Sequence, residues 1–335
     1  MKAYKLHAPK SFDNFLPGEY DEPVISDNQV KVAVKAVSLN FRDWGLVNGL
    51  ITYPGEVLPF IPLSDAAGLV TEVGKAVKHI KVGDRVAGSF FPEWQSGPYA
   101  KEKTYLALGG TQDGVLAEYV AFDESAVVKI PDFFSFAEAA TFPCAAVTAW
   151  HSLAVQAQLK PGDTVLLLGT GGVSIFGLQI AKLFGATVII TSGSDEKLAM
   201  AKALGADFTI NYKQDGWEER VKALTDGKGA DYILDVVGHL ADTLKVIRPG
   251  GTIFMIGMVG GAPDEQPNLR QVTLSTNRLQ GIFVGSAEML GNVFRAFASN
   301  RIKPVIGETF EFDQVKQAMA HMGKGAHFGK IVVNI

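Results

Sequence analysis

Residues 163–174, DTVLLLGTGGVS, constrain the fold of this 335-residue chain more than any other stretch. An unbroken apolar strand at 164–168 ends in a glycine turn and passes directly into a helix. Gly169 permits the tight turn, with Thr170 beside it, and Gly171 lets backbone approach a pyrophosphate. The first helical amides, at Gly172 and Val173, together with the helix dipole would then hold the phosphates. Ser174 takes the third glycine position of the dinucleotide fingerprint, where a small residue still permits close packing of helix on sheet. An ordinary strand-to-helix turn could share this pattern. Here it opens a series of such units, which favours a dinucleotide.

That series begins after Pro131. Residues 137–154 read as helix, and Lys160-Pro161-Gly162-Asp163 punctuates. Strands follow at 164–168, 187–191, 208–210, 232–237 and 252–256, with helices between them. Continuous apolar strands alternating with helices predict a parallel sheet covered on both faces. One more strand is expected at 279–284, helices at 287–299 and 313–322, and a closing strand at 329–335. Before Pro131 the chain shows short β-branched segments broken by Gly and Pro, which predict a mostly β domain. Residues 89–114 read as a long surface excursion. The expected fold class is α/β, a doubly wound parallel sheet plus a mostly β domain, since 335 residues exceed the usual reach of one core.

Composition narrows the function. A net charge of −4 argues against a broad electrostatic footprint for nucleic acid. Residues 1–10 lack the apolar core of a signal peptide, and no apolar run approaches a spanning helix, so a cytoplasmic protein with no membrane association is expected. The single cysteine, Cys144, excludes an intramolecular disulfide and a cysteine-rich structural zinc site.

The end of the second strand bears on which dinucleotide binds. An NAD site usually carries an acid there for the ribose 2′-hydroxyl. This chain instead reads Thr191-Ser192-Gly193-Ser194, offering hydroxyls and amides to a 2′-phosphate, with Lys197 one turn further on as a cation. Asp195 and Glu196 follow, but at a helix start capped by Ser194 they sit favourably at the positive dipole end. NADPH is preferred over NADH.

Motifs along the whole chain resemble the medium-chain dehydrogenase/reductases. They include residues 72–86 (EVGKAVKHIKVGDRV), 116–120 (LAEYV), 139–150 (AATFPCAAVTAW), the nucleotide loop and the closing His327-Phe328-Gly329-Lys330. The resemblance implies a GroES-like catalytic domain over 1–130, a Rossmann domain over 131–285, and a C-terminal return to the catalytic domain over 286–335. Zinc members of that family hold catalytic zinc with a Cys, a His and a second Cys or Asp. Here those positions fall on Asn40, on Ser64-Asp65 and on Cys144. One thiol with an amide and a hydroxyl is a poor zinc donor set, so no metal is expected.

The Leu39-Asn40-Phe41-Arg42-Asp43 motif resembles the zinc-free quinone oxidoreductase and enoyl reductase branch. That resemblance implies Asn40 near the nicotinamide, and Ser192, Gly193, Ser194, Lys197 and Tyr212 at the 2′-phosphate. It further implies nicotinamide contacts near Thr148, Gly257, Met258, Phe283, Val284 and Lys330. Tyr53 matches a tyrosine that related enoyl reductases use as proton donor, with a pocket-lining role as the plainer alternative. Arg42 and Asp43 are expected to form a structural ion pair. Trp44, Phe60, Phe91 and Trp94 could wall an apolar substrate slot or simply pack.

The expected activity is zinc-independent hydride transfer from NADPH to a quinone or an α,β-unsaturated carbonyl. In such substrates the developing charge delocalises to a distant oxygen, so a hydrogen-bond donor can replace a Lewis acid. The alternatives are a zinc-free NADP(H) alcohol or aldehyde dehydrogenase and a non-catalytic, crystallin-like NADPH-binding protein. The family also implies a homodimer or homotetramer, with 279–284 as the candidate sheet edge.

Overall fold

The computed structural model describes residues 1–53, 58–257, 259–260 and 266–335. They form two compact units, 1–147 with 284–335, and 148–283. Among the described residues no helix is long and apolar enough to cross a membrane.

In the 148–283 unit six parallel strands lie in the order Phe208–Asn211, Thr187–Ser192, Thr164–Leu167, Ala230–Asp235, Ile247–Met255 and Arg278–Gly281. In chain order this is 3-2-1-4-5-6, the doubly wound arrangement, with its switch point between Thr164–Leu167 and Ala230–Asp235. The central strands carry the apolar runs expected of a sheet covered by helices on both faces. Val165, Leu166, Leu167, Val188, Ile189, Ile190, Ile233 and Leu234 are all fully buried. Helix Gly172–Leu183 approaches this sheet closely at Gly177, where an added Cβ would lie 3.0 Å from Leu167 Cδ2 and 3.1 Å from Leu234 Cδ2. The close-packing glycine therefore lies one turn beyond Ser174.

The other unit is built on a seven-stranded sheet whose central member is Gln29–Leu39. This strand pairs antiparallel with Asp65–Val73 on one side and with the C-terminal strand Lys330–Asn334 on the other. It also pairs with Tyr119–Asp123. Register sets Ser38 opposite Asp65 and Leu39 opposite Ile331. The end of the central strand, the start of its neighbour and the start of the last strand thus meet at one place. Helix Phe41–Val47 leaves directly from that point.

Two readings from sequence change here. Residues 136–156 are helical apart from a turn at Thr141, as α segments Phe136–Ala140 and Val147–Trp150 alternating with π segments Phe142–Ala146 and His151–Gln156. The first half packs with the β-rich unit, so the compact unit extends to 147, beyond the expected domain boundary at 130/131. The reason is aromatic packing: the Phe142 ring sits 5.1 Å from Phe134, 4.6 Å from Phe294 and 5.4 Å from Phe297. The stretch 89–114 is a surface excursion only in its middle: residues 95–106 include none that is buried, whereas Phe90, Phe91, Trp94, Ala107 and Leu108 anchor its two ends in the core.

Candidate active site

The nucleotide loop has the geometry its residues require. Gly169 adopts φ +77°, a conformation that L side chains rarely take, although a Cβ there would meet nothing within 4 Å. Backbone conformation, not space, demands this glycine. Gly171 is the N-cap of Gly172–Leu183 and lays no side chain over the first helical amides. Ser174 Oγ donates to Leu168 O at 2.8 Å, tying the first helical turn to the strand end. Gly169 N donates to Thr191 Oγ1 at 3.3 Å, which joins this loop to the end of the second strand. Thr170, between them, is buried, and Val173 is half-buried in the first turn.

A second group forms where Thr187–Ser192 and Phe208–Asn211 end side by side, with Asn211 opposite Ser192. Tyr212 N donates to Ser192 O at 3.2 Å. A Cβ on Gly193 would lie 2.9 Å from Tyr212 Oη and 2.7 Å from Lys213 Cε, so these side chains pass directly over the glycine. Ser194 Oγ accepts from Lys197 N at 3.3 Å and caps the helix Asp195–Ala203. Asp195 Oδ1 accepts from Asn211 Nδ2 at 2.7 Å. Burial pushes the Lys197 ammonium below its usual value, an effect partly opposed by Glu196. Ser192, Gly193, Ser194 and Tyr212 are therefore neighbours, with Lys213 as an additional cation. Sequence reading passed over Lys213, although it stands in the same Asn211-Tyr212-Lys213 run.

The remaining expected cofactor residues are less informative. Thr148 is buried and its carbonyl accepts from Ser152 Oγ at 2.9 Å. Gly257 is crowded by Val236, whose carbonyl oxygen would be 2.8 Å from an added Cβ. Phe283 is partly exposed, and Val284 is buried at φ +53°. A β-branched residue in that region is strained, a feature that concentrates at functional sites. Met258 lies outside the described residues.

In the β-rich unit, Asn40, Asp43, Ser64, Asp65, Cys144 and Lys330 form one polar cluster in an otherwise apolar core. Lys330 is 2% exposed, and its Nζ donates to Leu39 O and to Asn40 Oδ1, both at 2.6 Å. Asn40 Nδ2 donates to Ser64 Oγ at 3.4 Å, and Ser64 Oγ donates to Asp65 Oδ1 at 2.6 Å. Cys144 N donates to Asp65 Oδ2 at 3.0 Å. Asn40 N also donates to Asp43 Oδ2 at 2.8 Å, which fixes the helix start after the strand.

Burial pushes the Asp65 carboxyl up, opposed first by the Lys330 ammonium and then by hydrogen bonds from Ser64, Asn40 and Cys144. Asp43 is pushed up to about 6 by burial, opposed by Arg42. The expected Arg42–Asp43 ion pair is present, with Nε 3.3 Å from Oδ1. Arg42 Nη2 also donates to Leu108 O at 2.7 Å and to Gly109 O at 2.5 Å.

This cluster does not make a zinc donor set. Asn40 offers an oxygen already taken by an ammonium, Ser64 offers a hydroxyl hydrogen-bonded to Asp65, and both Asp65 oxygens accept hydrogen bonds. Burial and the adjacent Asp65 push the Cys144 thiol strongly up. Among the described residues no group of three or more His, Cys, Asp or Glu could hold a metal ion.

Tyr53 lies beside this cluster, its ring centroid 5.4 Å from the Arg42 guanidinium carbon, which also covers the Phe90 ring at 4.7 Å. Of the aromatics considered for a substrate wall, Phe60, Phe91 and Trp94 are buried in packing. Trp44 packs against Phe41 and over Gly323.

Comparison with known proteins agrees with this layout. Residues 26–132 match the alcohol dehydrogenase GroES-like domain, and residues 172–299 match the zinc-binding dehydrogenase family. A zinc-type alcohol dehydrogenase-like protein of Schizosaccharomyces pombe is 40% identical, covering 99% of each chain. The 2-methylene-furan-3-one reductase of Solanum lycopersicum is 33% identical over 93% of this chain and 73% of its own. A quinone oxidoreductase from Pseudomonas syringae pv. tomato DC3000 superposes with a TM-score of 0.85 at 28% identity, covering 100% of this chain and 99% of the other.

Proposed function

Since this chain belongs to the medium-chain dehydrogenase/reductase superfamily, in its quinone-oxidoreductase-like branch, we propose that it is an NADPH-dependent, zinc-independent reductase of quinones or α,β-unsaturated carbonyls. The observation that supports this reading is the polar cluster, in which an amide stands at the position that the resemblance matches to a zinc ligand and its oxygen accepts from the buried Lys330 ammonium. The 2-methylene-furan-3-one reductase among its relatives is named for an enone substrate.

NADPH, when bound, supplies a hydride. The loop around Gly169, Thr170, Gly171, Gly172 and Val173 would hold its pyrophosphate on helix amides. Ser192, Gly193, Ser194, Lys197, Tyr212 and Lys213 would receive the 2′-phosphate, which an acid at the strand tip would repel. Hydride arriving at the β-carbon of an enone sends the double-bond electrons toward the carbonyl oxygen, and a proton then completes the saturated ketone. Tyr53 is the candidate donor of that proton, its hydroxyl carried on a ring packed against Arg42. Asn40 orders the polar end of the site.

The test is NADPH oxidation by the purified chain with quinones, enones and aldehydes, with NADH and a chelator as controls. Chelator-insensitive turnover of a quinone or enone is expected. Turnover confined to aldehydes and abolished by chelator would overturn the reading.

A further inference from the structure

The charges buried around Asn40 are balanced. Asp43 and Asp65 are fully buried, and Lys330 is 2% exposed. Asp43 pairs with Arg42 at 3.3 Å. Lys330 reaches Asp65 through a continuous chain: Nζ to Asn40 Oδ1, Asn40 Nδ2 to Ser64 Oγ, and Ser64 Oγ to Asp65 Oδ1. Cys144, another titratable group facing Asp65, has its thiol pushed strongly up by burial, adds no charge near neutrality, and donates its backbone N–H to Asp65 Oδ2. Two cations therefore answer two anions, and a divalent cation would upset that balance.

An uncompensated charge in such a core is strongly destabilising, so a lysine this deep persists only with a carboxylate to answer it. The same contact fixes the amide. With Oδ1 held by an ammonium, the Nδ2 edge of Asn40 faces Ser64 and the carboxamide cannot flip without placing its own N–H₂ against Nζ.

Building on the reductase reading above, we propose that Lys330 is a positioning residue: a built-in cation that compensates Asp65 and locks the Asn40 carboxamide for hydride transfer. The partner it compensates is a carboxylate at the start of the neighbouring strand.

The experiment is a double-mutant cycle on the full chain, with Lys330→Met, Asp65→Asn and the pair combined. Two readouts are taken: the thermal midpoint, and steady-state kcat and KM with NADPH and the best quinone or enone. Lys330→Met strands the Asp65 carboxylate and is expected to lower the midpoint by roughly 5 °C or more, most of it regained in the double variant. The double variant is expected to keep a kcat about tenfold or more below wild type, with KM for NADPH changed less than about threefold. Additive midpoint losses would overturn the pairing. A double variant with both midpoint and kcat restored would overturn the positioning role and leave a structural ion pair. If Lys330→Met is insoluble, solubility of the double variant supports the pairing and its continued insolubility overturns it. A wild-type chain silent toward every quinone and enone would instead sink the reductase reading, while the thermal cycle still decides the pairing.

Discussion

Lys330 Nζ donates to Asn40 Oδ1 at 2.6 Å although 290 positions separate the two residues. The contact follows from register. Ile331 pairs with Leu39 across the antiparallel strands, which sets the residue before one and the residue after the other side by side. Asn40 then donates to Ser64, so the amide is a link in a buried relay and not an isolated polar tip. Asn40→Ala breaks that relay at its centre. A drop in kcat of about tenfold or more is expected, with NADPH affinity measured by fluorescence titration nearly unchanged. Wild-type kcat in this variant would remove Asn40 from the reaction centre.

Asp43 gives the stability a pH dependence of known sign. Its carboxyl is raised from the usual 3.8 to about 6, because burial outweighs the attraction of Arg42. The folded chain then holds a proton that the unfolded chain has released. This contribution is fully present below about 3.8 and is lost as pH rises through about 6. Asp43→Asn stays neutral and keeps its hydrogen-bonding oxygen for Asn40. The stability of the variant relative to wild type is expected to rise by about 1–3 kcal/mol between pH 4 and pH 7 in urea unfolding. A difference that does not vary with pH would show that Asp43 titrates normally.

The proposed 2′-phosphate site includes Lys197 and Lys213, of which Lys213 passes over Gly193. Lys197→Ala and Lys213→Ala are each expected to raise KM for NADPH about 10- to 100-fold while changing KM for NADH little, since only NADPH carries the 2′-phosphate. Equal losses for both dinucleotides would move the site of 2′-phosphate binding elsewhere.

Gly114 is fixed by close backbone approach. A Cβ there would fall 2.0 Å from Leu63 O and 2.6 Å from Pro62 O, and neither oxygen can move as a side-chain tip could. Its own N–H donates to Ile61 O at 2.5 Å. Gly114→Ala is expected to cost about 2–4 kcal/mol of stability. Because Leu63 precedes Ser64, catalytic loss should accompany the destabilisation. An alanine variant with a wild-type unfolding midpoint would contradict the packing.

Much of the doubly wound unit was legible in the chain because its determinants are local. Apolar runs of strand length, the glycines at 169 and 171, and the cap at Ser194 each act within a few residues of themselves. That the second strand itself ends in Thr191-Ser192 was equally readable, whereas the bond from Asn211 to Asp195 depends on two strands ending side by side. Other features escaped. Lys213 was passed over because its approach to Gly193 depends on two strands ending in register. The surface excursion within 89–114 was legible in its middle, but the burial of Phe90, Phe91 and Trp94 at its start was not, because it needs partners distant in sequence.

By itself, then, the sequence determined a doubly wound parallel sheet opened by a glycine turn at Gly169 and Gly171, a mostly β companion, and the residue types at Asn40, Ser64, Asp65 and Cys144. The tertiary structure alone decided which of these residues meet Lys330. Lys330 becomes a buried cation only when the last strand closes beside the central one, bringing its ammonium to Asn40 and, through Ser64, to Asp65. Residue identity and spacing record which groups a chain owns. Burial and strand register, which are properties of the folded sheet, decide which charges must answer one another.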